Sequence, residues 1–283
     1  MPRPLEPYVY SDLTWPEINQ AVQDQRVILL PVGAVEQHGP ALPLEIDVIT
    51  PTEMCLEAGR RAPDEVLVMP TVPYGYTHHV MDFPGTININ WDHFVHYVLD
   101  ITKSLAYHGF TRIVIINGHG SNDHLLQIVA RQTNLQTTAT CATLTWTSLI
   151  KDLFGEIRRS KFPGGSAHAC ELEVSMQLHL RPDSVRLEHN KDERAAYPGL
   201  PNEFQWVDLM GEGPVTINEW TSTHTDSGII GDASLGTAEQ GEQVFNAAVE
   251  KLVRLVRYMK ERPEQTKVPH QDPAPTMPFP FPS

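Results

Sequence analysis

Apolar residues along this chain follow two rhythms. Short apolar runs at residues 27–32, 66–70 and 112–116, and a threonine-rich stretch at 138–146, have the length and β-branched content of strands. Between and after them lie segments with apolar positions every three to four residues: 50–61, 91–108, 122–134 and 169–180. A further helix precedes the first strand. A long helix at about 237–260 follows, with Val244, Ala247, Val249, Leu252, Val253, Leu255 and Val256 forming one apolar stripe. Strands alternating with helices predict an α/β chain whose parallel sheet is covered on both faces. Residues 185–231 are less regular, with Tyr197-Pro198-Gly199 and Gly211-Glu212-Gly213 as turn signals. This stretch is expected to cover a site and to carry subunit contacts. His224 and Asp226 within it are either polar groups behind the site or ordinary loop residues.

Composition narrows the class. No linker-like stretch divides residues 1–261, so 283 residues read as one domain with a proline-rich appendix. Residues 262–283 hold seven of the 24 prolines and end in MPFPFPS, which favours an extended arm over helix or strand. Phe279 and Phe281 make that arm either a clasp on a neighbouring subunit or an undocked tail. A formal charge of −14 argues against nucleic acid or an anionic membrane as partner. The start lacks the apolar core of a signal peptide, and no apolar run approaches the ~20 residues of a membrane span. Cys55, Cys141 and Cys170 sit in apolar contexts and read as packed, reduced thiols, which suits the cytoplasm.

Three loops carry the chemistry. Residues 32–51, VGAVEQHGPALPLEIDVITP, place Glu36, His38 and Asp47 directly after the first strand. Carboxylate oxygens beside an imidazole are the donor mixture that holds Zn, Mn or Fe(II). Residues 113–122, IVIINGHGSN, put His119 between two glycines at the end of another strand. In an open parallel sheet, ligands gather outside the carboxyl ends of the strands, so His119 would meet the first loop there. The third loop, residues 164–173, contains His168, Glu171 and Glu173. On one helix the three-residue spacing brings Glu171 to the face of His168 and turns Glu173 away.

These segments resemble the creatininase family of metal-dependent amidohydrolases. The matching blocks are PVGAVEQHGPALPLEID (31–47), FPGTI (83–87), INGHGSN (116–122), HACELEVS (168–175) and GIIGDAS (228–234), in the family's order. The resemblance implies a three-layer α/β/α fold with a mostly parallel central sheet, a metal site at the strand ends and a homo-oligomer, often a hexamer of paired subunits. It implies Glu36, His38, Asp47 and His119 as ligands of two divalent ions, with Asp47 between them, and His168 as a proton carrier. Creatinine-hydrolysing members carry a glutamate where this chain has Ser121. Either Glu171 supplies the missing oxygen, as ligand and as catalytic carboxylate, or the second metal position is weaker or empty; Glu171 is the expectation.

The function expected on this basis is hydrolysis of a C–N bond in a small cyclic amide, N-formyl compound or peptide-like amide. Two ions would share a water and lower its pKa towards ~7, giving hydroxide at neutral pH. Tyr76, His79 and Ser121 are the candidate substrate contacts. The creatinine-binding members have tryptophans in the stretch corresponding to 150–163; here it has none and holds Arg158, Arg159 and Lys161. That cluster is either a solvated face or a site for an anionic substrate, and creatinine is not the expected substrate. A metal-dependent isomerase or lyase, or a non-catalytic oligomer, remains as the alternative reading.

Overall fold

The computed structural model describes residues 5–194 and 201–263, together with 268, 270, 272 and 273. Its helices are α1 (Trp15–Gln23), α2 (Ile46–Arg61), α3 (Trp91–Tyr107), α4 (Asp123–Gln136), α5 (Lys151–Ile157), α6 (Glu171–Leu180) and α7 (Ala238–Glu261). The strands are β1 (Val27–Val32), β2 (Val66–Val68), β3 (Arg112–Asn117), β4 (Thr140–Thr145), β5 (Ser166–His168), β6 (Val207–Asp208), β7 (Gly211–Glu212) and β8 (Ile230–Gly231).

β1 to β4 form one parallel sheet in the order β2-β1-β3-β4. Successive strand residues face opposite sides, and the core divides accordingly. Val27, Leu29, Val114 and Ile116 pack with α2, α6 and α7. Ile28, Leu30, Val32, Ile113 and Ile115 pack with α1, α3 and α4. The fold is thus a three-layer α/β/α sandwich. β1 is fully buried although it contains Pro31. In the parallel register the odd residues of β1 face β2, and β2 stops opposite Leu29, so Pro31 forfeits no sheet bond.

Strand order places the site. From β1 the chain crosses to β2 on one side, then returns to β3 on the other, which opens a crevice between the carboxyl ends of β1 and β3. The start of α2 closes that crevice from above. A Cβ at Gly33 would lie 2.5 Å from the Asp47 carbonyl oxygen and one at Gly118 2.0 Å from it, so both strand ends need glycine. Pro51, four residues on, has no N–H to offer that carbonyl, which leaves it free to face the glycines.

Three boundaries depart from the sequence expectation. α2 begins at Ile46 rather than at residue 50, so Asp47 lies in its first turn instead of in a loop. α6 begins at Glu171, and His168 sits on β5, paired antiparallel with β8. The short helix α5 falls where the pattern showed none. The arm containing Phe279 and Phe281, and Tyr197-Pro198-Gly199, lie outside the described residues.

Candidate metal centre

Glu36, His38, Asp47, His119 and Glu173 are all buried and converge in the crevice. Asp47 stands in the middle. Its Oδ1 lies 3.4 Å from His38 Nε2 and its Oδ2 3.1 Å from His119 Nδ1. Glu36 Oε1 is 3.4 Å from His119 Nδ1, and Glu173 Oε1 is 3.8 Å from His38 Nε2. Two three-donor nests result, Glu36–Asp47–His119 and His38–Asp47–Glu173, sharing Asp47.

Backbone carbonyls set which ring nitrogen faces inward. His38 Nδ1–H donates to the Glu36 carbonyl at 3.2 Å, and His119 Nε2–H donates to the Tyr76 carbonyl at 3.1 Å. A carbonyl only accepts, so each ring turns its other nitrogen to Asp47, where loss of its proton would free a lone pair for a cation. His38 Nε2 and Asp47 Oδ2 are buried without a hydrogen-bond partner. Orphaned donor atoms in such a nest fit a divalent cation, which would satisfy both.

The charges answer one another. Burial opposes ionisation of Glu36, but His119, with His168 and His38 behind it, holds its carboxyl well below the usual range. Asp47 is likewise lowered, burial being outweighed by His38. Burial also disfavours charge on the histidines, yet Asp47 and Glu173 lift His38 well above its ordinary value. Glu36 and Asp47 lift His119 to about 10. Protons thus stand where cations would.

His168 approaches from β5. Its Nε2 lies 2.8 Å from the Gln37 carbonyl and its Nδ1 3.7 Å from Glu36 Oε1, with the ring centroid 4.4 Å from that of His38. The Nε2–H donates to that carbonyl, which leaves Nδ1 directed into the site. The Gln37 carboxamide braces the same edge, donating to Gly228 O at 3.0 Å and accepting from Gly39 N–H at 2.7 Å.

Glu171 is elsewhere, and the expectation that it supplies a ligand oxygen is corrected. Its carboxylate accepts from Ser160 N–H at 2.8 Å, Arg159 N–H at 2.9 Å and Gln240 Nε2 at 2.8 Å, anchoring the preceding loop to α6 and α7. Burial opposes its charge, but these donors outweigh burial and lower its pKa. Glu173 takes the place in the nest. The helix-face rule failed because His168 is not on the helix. Glu173, third residue of α6, turns back so that Oε2 reaches Cys170 N–H at 3.4 Å and Oε1 enters the cluster. A Cys-x-x-Glu spacing at a helix start is the capping-box signal that marks it.

The remaining candidates divide. His79 is half-buried, its ring centroid 6.3 Å from that of His119, and burial pulls its pKa down to about 4. Tyr76 meets His119 through its backbone carbonyl. Ser121 lies half-buried in the turn before α4 and is in neither donor nest. The cationic cluster is not open to an anionic substrate as a unit. Arg158 is paired with buried Asp208 through two 2.9 Å bonds, and the Arg159 guanidinium donates to the Leu235 carbonyl. His224 pairs with Glu219 at 3.9 Å and Asp226 N–H donates to Glu193 at 2.6 Å, so neither joins a nest. Cys55, Cys141 and Cys170 are free, buried thiols.

Fold and donors together define a three-layer α/β/α chain with a carboxylate–imidazole cluster of the kind that holds divalent cations. The creatininase model, described as creatinine amidohydrolase, matches residues 11–256. The chain belongs to the creatininase family. Among its relatives is a 3-dehydro-scyllo-inosose hydrolase of Thermotoga maritima, 26% identical over 95% of this chain and 88% of that protein. A mycofactocin precursor peptide peptidase of Mycobacterium tuberculosis is 29% identical over 84% and 87%, and a creatinine amidohydrolase of Pseudomonas putida 29% over 87% and 95%. A crystal structure of creatinine amidohydrolase superposes with a TM-score of 0.75 at 26% identity, covering 90% of this chain and 99% of that one. Similar structures include a creatininase mutant of Zn-Zn type and a Mn creatininase. No helix among the described residues is long and apolar enough to cross a membrane.

Proposed function

We propose that this chain is a metal-dependent hydrolase that cleaves a C–N bond in a small cyclic amide, N-formyl compound or peptide-like amide. The observation that carries the reading is the pair of buried nests sharing Asp47, with His38 Nε2 and Asp47 Oδ2 buried in them without a hydrogen-bond partner. Glu36, Asp47 and His119 would hold one divalent ion and His38, Asp47 and Glu173 a second, with Zn, Mn and Fe(II) all compatible with oxygen and imidazole donors. Ions held there supply Lewis acidity and water acidified towards neutral pH.

The chain's own groups do the rest. His168 is held by Gln37 with Nδ1 turned inward, so it accepts a proton there and returns it to the leaving nitrogen. Asp47, fixed by the glycine-lined strand ends, keeps the two nests in register. His79 and Tyr76 border the cluster beside His119, and with Ser121, two residues after His119, they form the substrate contacts. His79 is kept neutral by burial and therefore offers the substrate an uncharged ring. The relatives' names span an inosose, a precursor peptide and creatinine, so hydrolysis is common to them while the molecule cleaved is not.

Asp47→Ala should remove bound metal and amide-hydrolysing activity together, measured by elemental analysis and by turnover of a panel of cyclic and N-formyl amides. Activity that survives without metal would refute the reading. Labelled oxygen from water should enter the product; turnover without it favours an isomerase or lyase instead. The same proposal includes a homo-oligomer, a hexamer or other multiple of a dimer, supported by the exposed Trp91, Tyr107 and Leu135 on the helices and testable by light scattering. The buried reduced thiols support a cytoplasmic home.

A further inference from the structure

The two nests are not braced alike. Glu36 and His119, both in the first nest, lean on one loop, residues 75–77, whereas the donors particular to the second nest do not. The Thr77 hydroxyl donates to Glu36 Oε2, and the Tyr76 carbonyl accepts from His119 Nε2–H. That loop is itself pinned by a buried amide. Asn122 Oδ1 accepts from Tyr76 N–H at 2.9 Å, and Asn122 Nδ2 donates to the Gly33 carbonyl at 3.0 Å. On the far side Thr77 N–H donates to Asn88 Oδ1 at 2.9 Å. Thr77 and Asn122 are fully buried. The fit is close: a Cβ at Gly75 would lie 2.6 Å from both Asn122 Oδ1 and the Gly33 carbonyl oxygen. By contrast His38 is oriented by its own loop through the Glu36 carbonyl, and Glu173 by the start of α6 through Cys170 N–H.

We propose that Thr77 and Asn122 are positioning residues for the Glu36–Asp47–His119 nest alone, with Thr77 occupying one oxygen of Glu36 so that the other faces the cation. The proposal rests on the two-ion reading above. A hydroxyl already donating to Oε2 leaves Oε1 as the free acceptor, and Oε1 is the atom directed at His119 Nδ1 and His168 Nδ1. Asn122 acts one step further out, by fixing the Tyr76 carbonyl that selects the His119 tautomer. The chain thereby controls its two cation positions separately.

The test is a Zn2+ titration of the metal-free protein against a chromophoric chelator, for the unaltered chain, Thr77→Val, Thr77→Ser and Asn122→Ala. The unaltered chain should take up two ions. Thr77→Val, which keeps shape and removes the donor, should weaken one position about 10- to 100-fold and leave the other unchanged. Thr77→Ser should restore the lost affinity, and Asn122→Ala, which removes both the acceptor for Tyr76 N–H and the donor to the Gly33 carbonyl, should reproduce the one-sided loss. Combining Thr77→Val with Glu173→Gln should weaken both positions, because the second change acts on the other nest. Two ions bound by Thr77→Val with unaltered affinities, or both positions weakened equally, overturn the proposal. Fewer than two ions on the unaltered chain overturns the two-ion reading and the proposal with it. Should valine upset the packing, seen as a lowered melting temperature of the metal-free protein, Asn122→Ala and Thr77→Ala carry the same comparison.

Discussion

Replacing Glu171 and Glu173 one at a time should separate stability from metal. Glu171→Ala removes a buried carboxylate that accepts from Ser160 N–H, Arg159 N–H and Gln240 Nε2. Each hydrogen bond to a charged acceptor contributes about 1.5–3 kcal/mol, and water can reach the exposed Arg159 end, so the net loss is about 4 kcal/mol. At roughly 2–4 °C per kcal/mol for a chain of this size, the melting temperature should fall by about 12 °C. Metal content per folded chain should stay at its original value. Glu173→Ala removes a group whose nearest cluster contact is His38 Nε2 at 3.8 Å. Its loss removes the long Cys170 N–H cap and a 3.8 Å contact, about 1 kcal/mol together, so the metal-free protein should melt within about 4 °C of the unaltered chain. One of its two ions should be lost. Calorimetry of metal-free samples, followed by elemental analysis after reconstitution and dialysis, reads both effects. A Glu171→Ala protein that melts normally but lacks an ion, or a Glu173→Ala protein that retains both, would refute the assignment.

Three further outcomes follow from the same geometry. Because Glu36 and Asp47 lift His119 to about 10 against burial, the metal-free site carries a proton there at neutral pH; metal uptake should release protons and tighten as pH rises from 6 to 8, and an affinity independent of pH in calorimetric titrations contradicts this. For the metal-free fold, the lowered Glu36 contributes stability that is present above its ordinary value of 4.5 and lost as pH falls below it, while the raised His119 contributes stability present below 6.5 and lost as pH climbs towards 10. Urea midpoints of the metal-free protein should therefore be highest between about pH 4.5 and 6.5, and a maximum above pH 8 would contradict the sign. Gly118→Ala would place a methyl 2.0 Å from the Asp47 carbonyl oxygen, so α2 must shift and both ions should bind at least tenfold more weakly, with titration as the check.

Much of this was legible in the residue order, and the failures have physical causes. The apolar runs at 27–32 and 112–116 identified the two strands whose ends carry Glu36, His38 and His119, because a strand buried on both faces has no other composition available. Asp47 was legible as chemistry but not as helix. Pro51 reads as a break, yet the bond it forgoes belongs to a carbonyl already committed to the close approach of Gly33 and Gly118. Glu171 and Glu173 were exchanged for a related reason. Face periodicity holds only inside one element, and the boundary between β5 and α6 falls between His168 and the glutamates. Arg158 looked free because Asp208, 50 residues later on β6, is a pairing only the tertiary fold supplies. Thr77 carried no signal, and Asn122 stood in the block INGHGSN with nothing to mark its role, since a hydroxyl or amide that braces a ligand looks like any other loop residue until the loop is placed.

The most direct test is diffraction from crystals soaked with Zn2+, with anomalous maps collected on both sides of the zinc absorption edge. Two peaks are expected, one bounded by Glu36, Asp47 and His119 and the other by His38, Asp47 and Glu173, with the Asp47 carboxylate between them. Crystals that show no peak in the crevice, or peaks whose neighbours exclude Asp47, would contradict a shared two-cation centre.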